Sequence, residues 1–276
     1  MRNGQIDSFE DLRVFWSLRT KIRTALRDLI VFVLSLGRSI DNSSNWIRFP
    51  YYHHVFKDER CGFERQLDYL RNNGDFIPLD RVVELLERNE PINGRFFCIT
   101  FDDGLRSCYD HALPILAERK IPAAFFIVTE NIADTSMGEI RICKRLHPGL
   151  PYSYEYLTWS ECAEMLKAGM TIGSHACSHA KLNDLNANEV RRQFTESKKA
   201  IEEKLEIECK HFACPWGVAG TYFDNRDVDI AKEVGYRSFL TTQRGENQRG
   251  CSPFALKRDH MYANWSNYQL KYFLSR

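Results

Sequence analysis

The sequence predicts an α/β domain built on a parallel sheet. Three observations carry that prediction. Strand-like apolar runs alternate with helix-like segments, the 276 residues suit one barrel-sized core, and the residues that carry chemistry fall where strand-like runs end. Hydrophobic content of 43% and charged content of 27% are ordinary for a globular enzyme. A formal net charge of +1 gives no general attraction to nucleic acid or anionic membrane, and no basic patch or nucleic-acid motif is present. Nine scattered cysteines, odd in number and without CxxC spacing, argue against a disulfide framework and for a reducing compartment.

The elements follow in order. Residues 12–36 carry Phe15, Leu18, Ile22, Leu26, Leu29, Val33 and Leu36 at helical spacing, interleaved with Arg13, Arg19, Lys21, Arg23 and Arg27. This is an amphipathic helix that either packs on the domain or lies on a membrane surface. Its uncharged run, Leu29 to Gly37, is too short to span a bilayer. A basic flank resembles an export signal, but Asp7, Glu10, Asp11 and Asp28 are atypical there, and no small-x-small cleavage site follows. The expected location is therefore cytoplasmic, at the inner membrane face if the helix binds lipid, with export left open. After a polar linker, residues 1–45 being a helical extension, one domain is expected over 46–276. Trp46–Tyr52 reads as a strand, Phe63–Asn72 and Asp80–Arg88 as helices, Phe96–Phe101 as a strand, Ser107–Arg119 as a helix and Ala123–Val128 as a strand. Residues 131–157 read as an irregular excursion. Thr158–Ala168 is a helix, Met170–Gly173 a short strand, and Asn186 with Glu189 opens a helix carrying Val190, Phe194, Ile201 and Leu205 on one face. His211–Cys214, Arg226–Val234 and Arg237–Thr241 complete the alternation as strand, helix and strand.

Chemistry concentrates in two segments. Thr100-Phe101-Asp102-Asp103-Gly104 places two adjacent carboxylates after an apolar run. Neighbours on a strand face opposite ways, so both acids serve one site only if the backbone has begun to turn, and Gly104 permits that. Ser174-His175-Ala176-Cys177-Ser178-His179 carries two imidazoles four apart. One carboxylate and two histidines make a three-ligand site for a divalent metal, leaving the other carboxylate as a candidate general base. Each segment alone also fits a plain turn or cap. Together they indicate hydrolysis by metal-activated water.

These residues resemble the NodB-homology polysaccharide deacetylases, the family-4 carbohydrate esterases, over roughly residues 46–276. The resemblance implies a distorted (β/α)7-type barrel, with Asp102 as general base and Asp103, His175 and His179 as metal ligands. Ala176 stands where a hydroxyl residue is usual. Phe212-Ala213-Cys214-Pro215-Trp216-Gly217 is similar to the family's third motif, which makes Pro215 and Trp216 one wall of a substrate groove. Many members have an Arg where Ala213 stands, orienting the base. Its absence resembles the circularly permuted poly-N-acetylglucosamine deacetylase branch, in which a Tyr-His-x-Val motif on the first strand supplies the catalytic acid. Tyr52-His53-His54-Val55 fits that motif and nominates His53. Arg258, in Leu256-Lys257-Arg258-Asp259, resembles a late Arg of the branch and is a candidate orienter of Asp102. His111, His147, His211 and His260 are expected outside the site, at the surface or core edge.

The resemblance thus implies a hydrolase of linear amides that removes an acetyl or formyl group from an amino sugar. The substrate is a cell-surface glycan or its lipid- or nucleotide-linked precursor. One divalent metal ion is expected, zinc first, with nickel, cobalt, manganese and iron also compatible with the donor set. Tyr152, Tyr154, Tyr156, Trp159 and Trp216 are candidate sugar-stacking surfaces and equally plausible core residues. The expected partners are the N-acylated sugar and, through residues 12–36, a peripheral membrane contact. Two alternatives remain: a same-fold amidohydrolase for a small amide or cyclic imide, and a non-catalytic glycan-binding protein.

Overall fold

The apolar run at 46–52, continuous in sequence, divides between two sheets, and the run at 96–101 divides the same way. The structure, a computed structural model, describes residues 6–40, 45–135, 142–144 and 151–275. It opens with helices α1 (Phe9–Val14) and α2 (Leu18–Ser35). Strands β1 (Trp46–Arg48) and β2 (Pro50–Tyr52) precede α3 (Arg60–Arg71), β3 (Asp75–Phe76) and α4 (Leu79–Glu87). Next come β4 (Arg95–Phe97), β5 (Ile99–Phe101), α5 (Leu113–Glu118), β6 (Ala123–Ile127), β7 (Cys143–Lys144) and β8 (Tyr154–Glu155). Then follow α6 (Trp159–Lys167), β9 (Thr171–Ser174), α7 (Ala187–Leu205), β10 (His211–Ala213), α8 (Asn225–Val234), β11 (Ser238–Leu240), β12 (Asp259–His260) and α9 (Asn267–Leu274).

Seven strands form the central sheet in the order β11-β10-β9-β6-β5-β2-β12, every pairing parallel. Its two edges are bridged by one segment of chain. Leu256 donates its N–H to the Phe239 carbonyl of β11 and accepts from Thr241 just beyond it, and Asp259 and His260 then pair with Pro50 and Tyr51 of β2. The sheet is therefore the curled, barrel-type α/β fold. A second parallel sheet, β1-β4-β3, takes the first halves of the two divided runs. The steps fall at Phe49 and Cys98, both buried, and the Cys98 N–H donates to the Arg48 carbonyl between them. An unbroken apolar run gives no signal of such a step, which is why each reads as one strand.

The core lies between the central sheet and its helices. Phe101 and Phe125 stack face to face at 4.5 Å on neighbouring strands, and Tyr52 and Phe63 extend the cluster. Helix α7 adds Val190, Phe194 and Ile201 from one face, and Asn186 caps it by accepting the Glu189 N–H at 3.0 Å. The helix expected over 107–119 is interrupted, with a π-type turn at Cys108–Ala112 preceding α5. Pro114 has no N–H to give the regular ladder, which accounts for the change there. All nine cysteines are free thiols. Among the described residues no helix is long and apolar enough to cross a membrane.

Candidate active site

The candidate residues meet where the central strands end. Strand β2 ends at Tyr52 and delivers His53, β5 ends at Phe101 and delivers Asp102 and Asp103, β9 delivers His175, and β10 delivers Cys214 to Trp216. A cleft of about 270 Å³ is lined by Tyr51, His53, Asp102, Asp103, His175, His179, Cys214, Trp216 and Thr242. Loops at these strand ends are where parallel β/α folds place their chemistry.

Local backbone makes the convergence geometric. Asp103, Ala176, His179 and Trp216 all have positive φ, between 60° and 71°. Among the described residues, the other three non-glycine residues in that region, Asn89, Lys120 and Glu206, follow helix ends. Strained turns at the site are what let adjacent residues on one strand end serve one cleft. Gly104, at φ 73°, completes the turn after the two acids. Gly173 answers a different need: a Cβ there would stand 2.6 Å from the Phe126 ring and 2.9 Å from the His211 carbonyl oxygen.

Asp103, His175 and His179 present their donor atoms within 4.8 Å of one another. The Asp103 Oδ1 lies 3.5 Å from His175 Nε2 and 3.4 Å from His179 Nε2. Donors about 2.0–2.2 Å from a tetrahedral cation stand roughly 3.3–3.5 Å apart, so the spacing fits a small divalent ion. That Oδ1 is buried without a hydrogen-bond partner among the described residues, a costly state that a cation would relieve. His175 Nδ1 donates to the Ala213 carbonyl at 2.8 Å, which leaves the Nε2 lone pair facing Asp103. Burial pushes the His179 imidazole down to about 4, Asp103 pulling the other way, so at neutral pH it is in its ligating form.

Asp102 lies beside this triad in a different setting. Arg258 Nη1 and Nη2 donate to its two oxygens, each at 2.7 Å, and the Arg258 Nε donates to the Thr241 carbonyl at 2.8 Å. Burial raises the Asp102 carboxyl, but Arg258 above all, with His175 and His53, outweighs it and holds the group at about 2. Tyr51 stacks under the guanidinium at 4.3 Å. Arg258 rides on the segment that bridges the sheet edges, so closure of the barrel and orientation of Asp102 are one structural event.

The remaining residues divide. His53 lines the cleft, and its ring lies against Tyr51 and, at 5.0 Å, against His260. His260, expected at the surface or core edge, is thus packed behind His53. Its two-residue strand gave no apolar pattern by which to place it. Trp216 is exposed at the rim, with its Nε1 donating to the His179 carbonyl at 3.3 Å. Pro215 is buried beneath it and does not line the cleft. Tyr154, Tyr156 and Trp159 are buried, and Tyr152 packs on Phe15 and Tyr154, so these four are core or packing residues rather than cleft walls. His147 lies outside the described residues. Gln193, not among the residues expected at the site, accepts the Cys177 and Ser178 N–H groups through its Oε1 at 3.0 and 3.1 Å and so anchors the histidine loop. Its signal was a polar side chain in phase with the Val190, Ser197 and Ile201 stripe of α7.

Comparison with known proteins gives the chain's family. Residues 89–239 match the family model described as polysaccharide deacetylase, a stretch containing both aspartates, both histidines and Trp216 but neither His53 nor Arg258. The Bacillus subtilis protein YxkH, whose name places it provisionally among polysaccharide deacetylases, is 24% identical over 71% of this chain and 62% of its own length. The chitooligosaccharide deacetylase of Rhizobium leguminosarum bv. phaseoli is 27% identical over 42% of each chain. The chain therefore spans less than two thirds of these relatives' lengths. The poly-β-1,6-N-acetyl-D-glucosamine N-deacetylase of Staphylococcus aureus is 20% identical over 76% of this chain and 72% of that protein. The fold matches the Streptococcus pyogenes deacetylase PplD at a TM-score of 0.68, with 22% identity, 83% of this chain and 98% of that one covered. IcaB from Ammonifex degensii gives 0.68 with 23% identity, over 84% and 98% of the two chains. The chain belongs to the polysaccharide deacetylase family.

Proposed function

We propose that this protein is a divalent-metal-dependent hydrolase that frees the amine of an N-acylated amino sugar. Its substrate would be a cell-surface glycan or the lipid- or nucleotide-linked precursor of one, and its acyl group acetyl or formyl. The observation that carries the reading is the orphaned Asp103 Oδ1, 3.4 and 3.5 Å from two imidazole nitrogens, beside a carboxylate already clamped by Arg258. The relatives named for poly-N-acetylglucosamine and chitooligosaccharide supply the substrate class.

Asp103, His175 and His179 would hold the ion, zinc being the first choice for such a mixed N/O set. When bound, it supplies Lewis acidity, activating water and polarising the amide carbonyl. Asp102 takes the proton from the attacking water. Each of its oxygens keeps one lone pair after bonding to Arg258, and the guanidinium fixes which way that lone pair points. His53, on the neighbouring strand end, gives a proton to the departing amine, which is otherwise a poor leaving group. Trp216 offers the exposed ring at the rim against which a sugar face rests.

The test is amine release from N-acetylglucosamine oligomers by metal-loaded protein, set against small cyclic amides and imides. Release from the oligomers supports the sugar reading. Turnover of the cyclic amides alone transfers the site to a small-molecule amidohydrolase, and glycan binding without release makes it a binding protein.

A further inference from the structure

Helix α2 is turned inside out for a helix that only packs on a domain. Its inward face carries Thr24, Asp28, Val31 and Ser35, and Asp28 accepts from Gln269 of α9 at 3.4 Å. The opposite face carries Leu18, Ile22, Leu26, Leu29 and Val33, all more than half exposed to solvent, although these are the residues that a core would take. Cations border this stripe. Arg19, Arg23 and Arg27 follow one flank at four-residue intervals, and Lys21 lies on the other. Asp28, the one acid of the helix, is on the inward side and already takes Arg27, whose Nη2 donates to it at 3.0 Å, so Arg19, Arg23 and Lys21 are the cations offered to headgroups.

We propose that α2 lies flat on an anionic lipid bilayer, with its leucine-rich stripe in the acyl boundary and its flanking arginines on headgroup phosphates. Charge decides between possible occupants. A protein partner would have to bring acids to match these bordering cations, whereas a second copy of this chain would bring the same cations. Anionic headgroups answer all of them at once, while long basic side chains snorkel to reach them. The 18 residues of α2 span about 27 Å, parallel to such a surface.

Helix α1, which leads into α2, is fastened near the active-site end of the barrel. The Phe9 and Glu10 N–H groups donate to the Asp58 carboxylate at 3.0 and 3.2 Å, just after the strand that delivers His53. Docking of α2 would hold the chain at the lipid surface, where a membrane-linked glycan would be met. That last step rests on the proposed deacetylase reading, whereas the docking does not.

The test is co-sedimentation of the full chain with vesicles of phosphatidylcholine alone and of phosphatidylcholine with phosphatidylglycerol. Binding is expected to the anionic vesicles and to weaken with salt. Arg19→Gln/Lys21→Gln/Arg23→Gln should lower the affinity on the order of 100-fold, at about fivefold per cation. Ile22→Ser/Leu26→Ser/Leu29→Ser should abolish binding with melting temperature and amine release from soluble oligomers unchanged. Absence of sedimentation with either vesicle, or a dimer in solution that the serine variant dissolves, overturns the proposal. Vesicle binding without amine release overturns the deacetylase reading alone.

Discussion

Arg258 holds both oxygens of Asp102 at 2.7 Å, across 156 positions of sequence, with each side chain almost wholly buried. A fork of that kind fixes the carboxylate in one orientation, and a buried carboxylate stripped of its partner costs about 3–5 kcal/mol. Arg258→Met should therefore lower the melting temperature by several degrees and cut kcat by roughly 100-fold or more, with a smaller change in KM. Arg258→Lys keeps the charge but not the fork, and should recover stability more than turnover. Equal kcat in the wild type and both variants would show that Arg258 serves the barrel closure and not Asp102.

That pairing also marks the limit of what sequence can show. The Asp102-Asp103-Gly104 and His175-to-His179 segments are local, so spacing and residue type sufficed to nominate them. Arg258 was reachable only through resemblance, because nothing in its neighbours announces a partner on β5. The divided runs at Phe49 and Cys98 were invisible for another reason: an apolar strand buried on both faces looks the same whether it feeds one sheet or two. Strand β12 is two residues long, and its ladder is set by the sheet edges it joins rather than by any pattern of its own. The Tyr152–Trp159 aromatics carried the opposite lesson, since composition cannot separate a stacking platform from a packed cluster. Only Trp216, held at positive φ, is exposed at the cleft.

Metal removal tests the triad directly. Chelation should abolish amine release, and added zinc should restore it. Asp103→Asn keeps the volume but removes the charge, so metal bound per chain should fall by more than tenfold, as measured by elemental analysis after dialysis. His175→Ala should act likewise. Undiminished stoichiometry in Asp103→Asn would move the ion elsewhere.

His53 should matter only where the leaving group needs a proton. His53→Ala should keep full metal content and lose about 100- to 10,000-fold in turnover of an N-acetyl amide. Its loss on an acetyl ester with an acidic phenol as leaving group should be slight, because such a group departs as the anion. His260→Phe, which preserves the ring packed behind His53, should leave metal content intact and change amide turnover less than His53→Ala. A uniform loss on amide and ester alike would assign His53 to binding or to structure.

Glu59 predicts a pH dependence remote from the chemistry. Its side chain is buried at the start of α3, where Oε2 accepts the Phe56 N–H at 3.1 Å and Oε1 has no partner among the described residues. Burial pushes its carboxyl up to about 7, with the Phe56 hydrogen bond only partly opposing. The folded state therefore binds the proton more tightly than the unfolded chain, whose Glu titrates near 4.5. Between those values the folded protein holds more protons, so stability falls as pH rises and levels off above 7. Glu59→Gln keeps an acceptor for Phe56 and cannot ionise. Near pH 4 its melting temperature should match the wild type, whereas at pH 8 it should be the more stable protein, by about 3 kcal/mol. Melting curves of the two that run parallel from pH 5 to 8 would mean that water reaches this carboxylate, and that its burial costs the fold little.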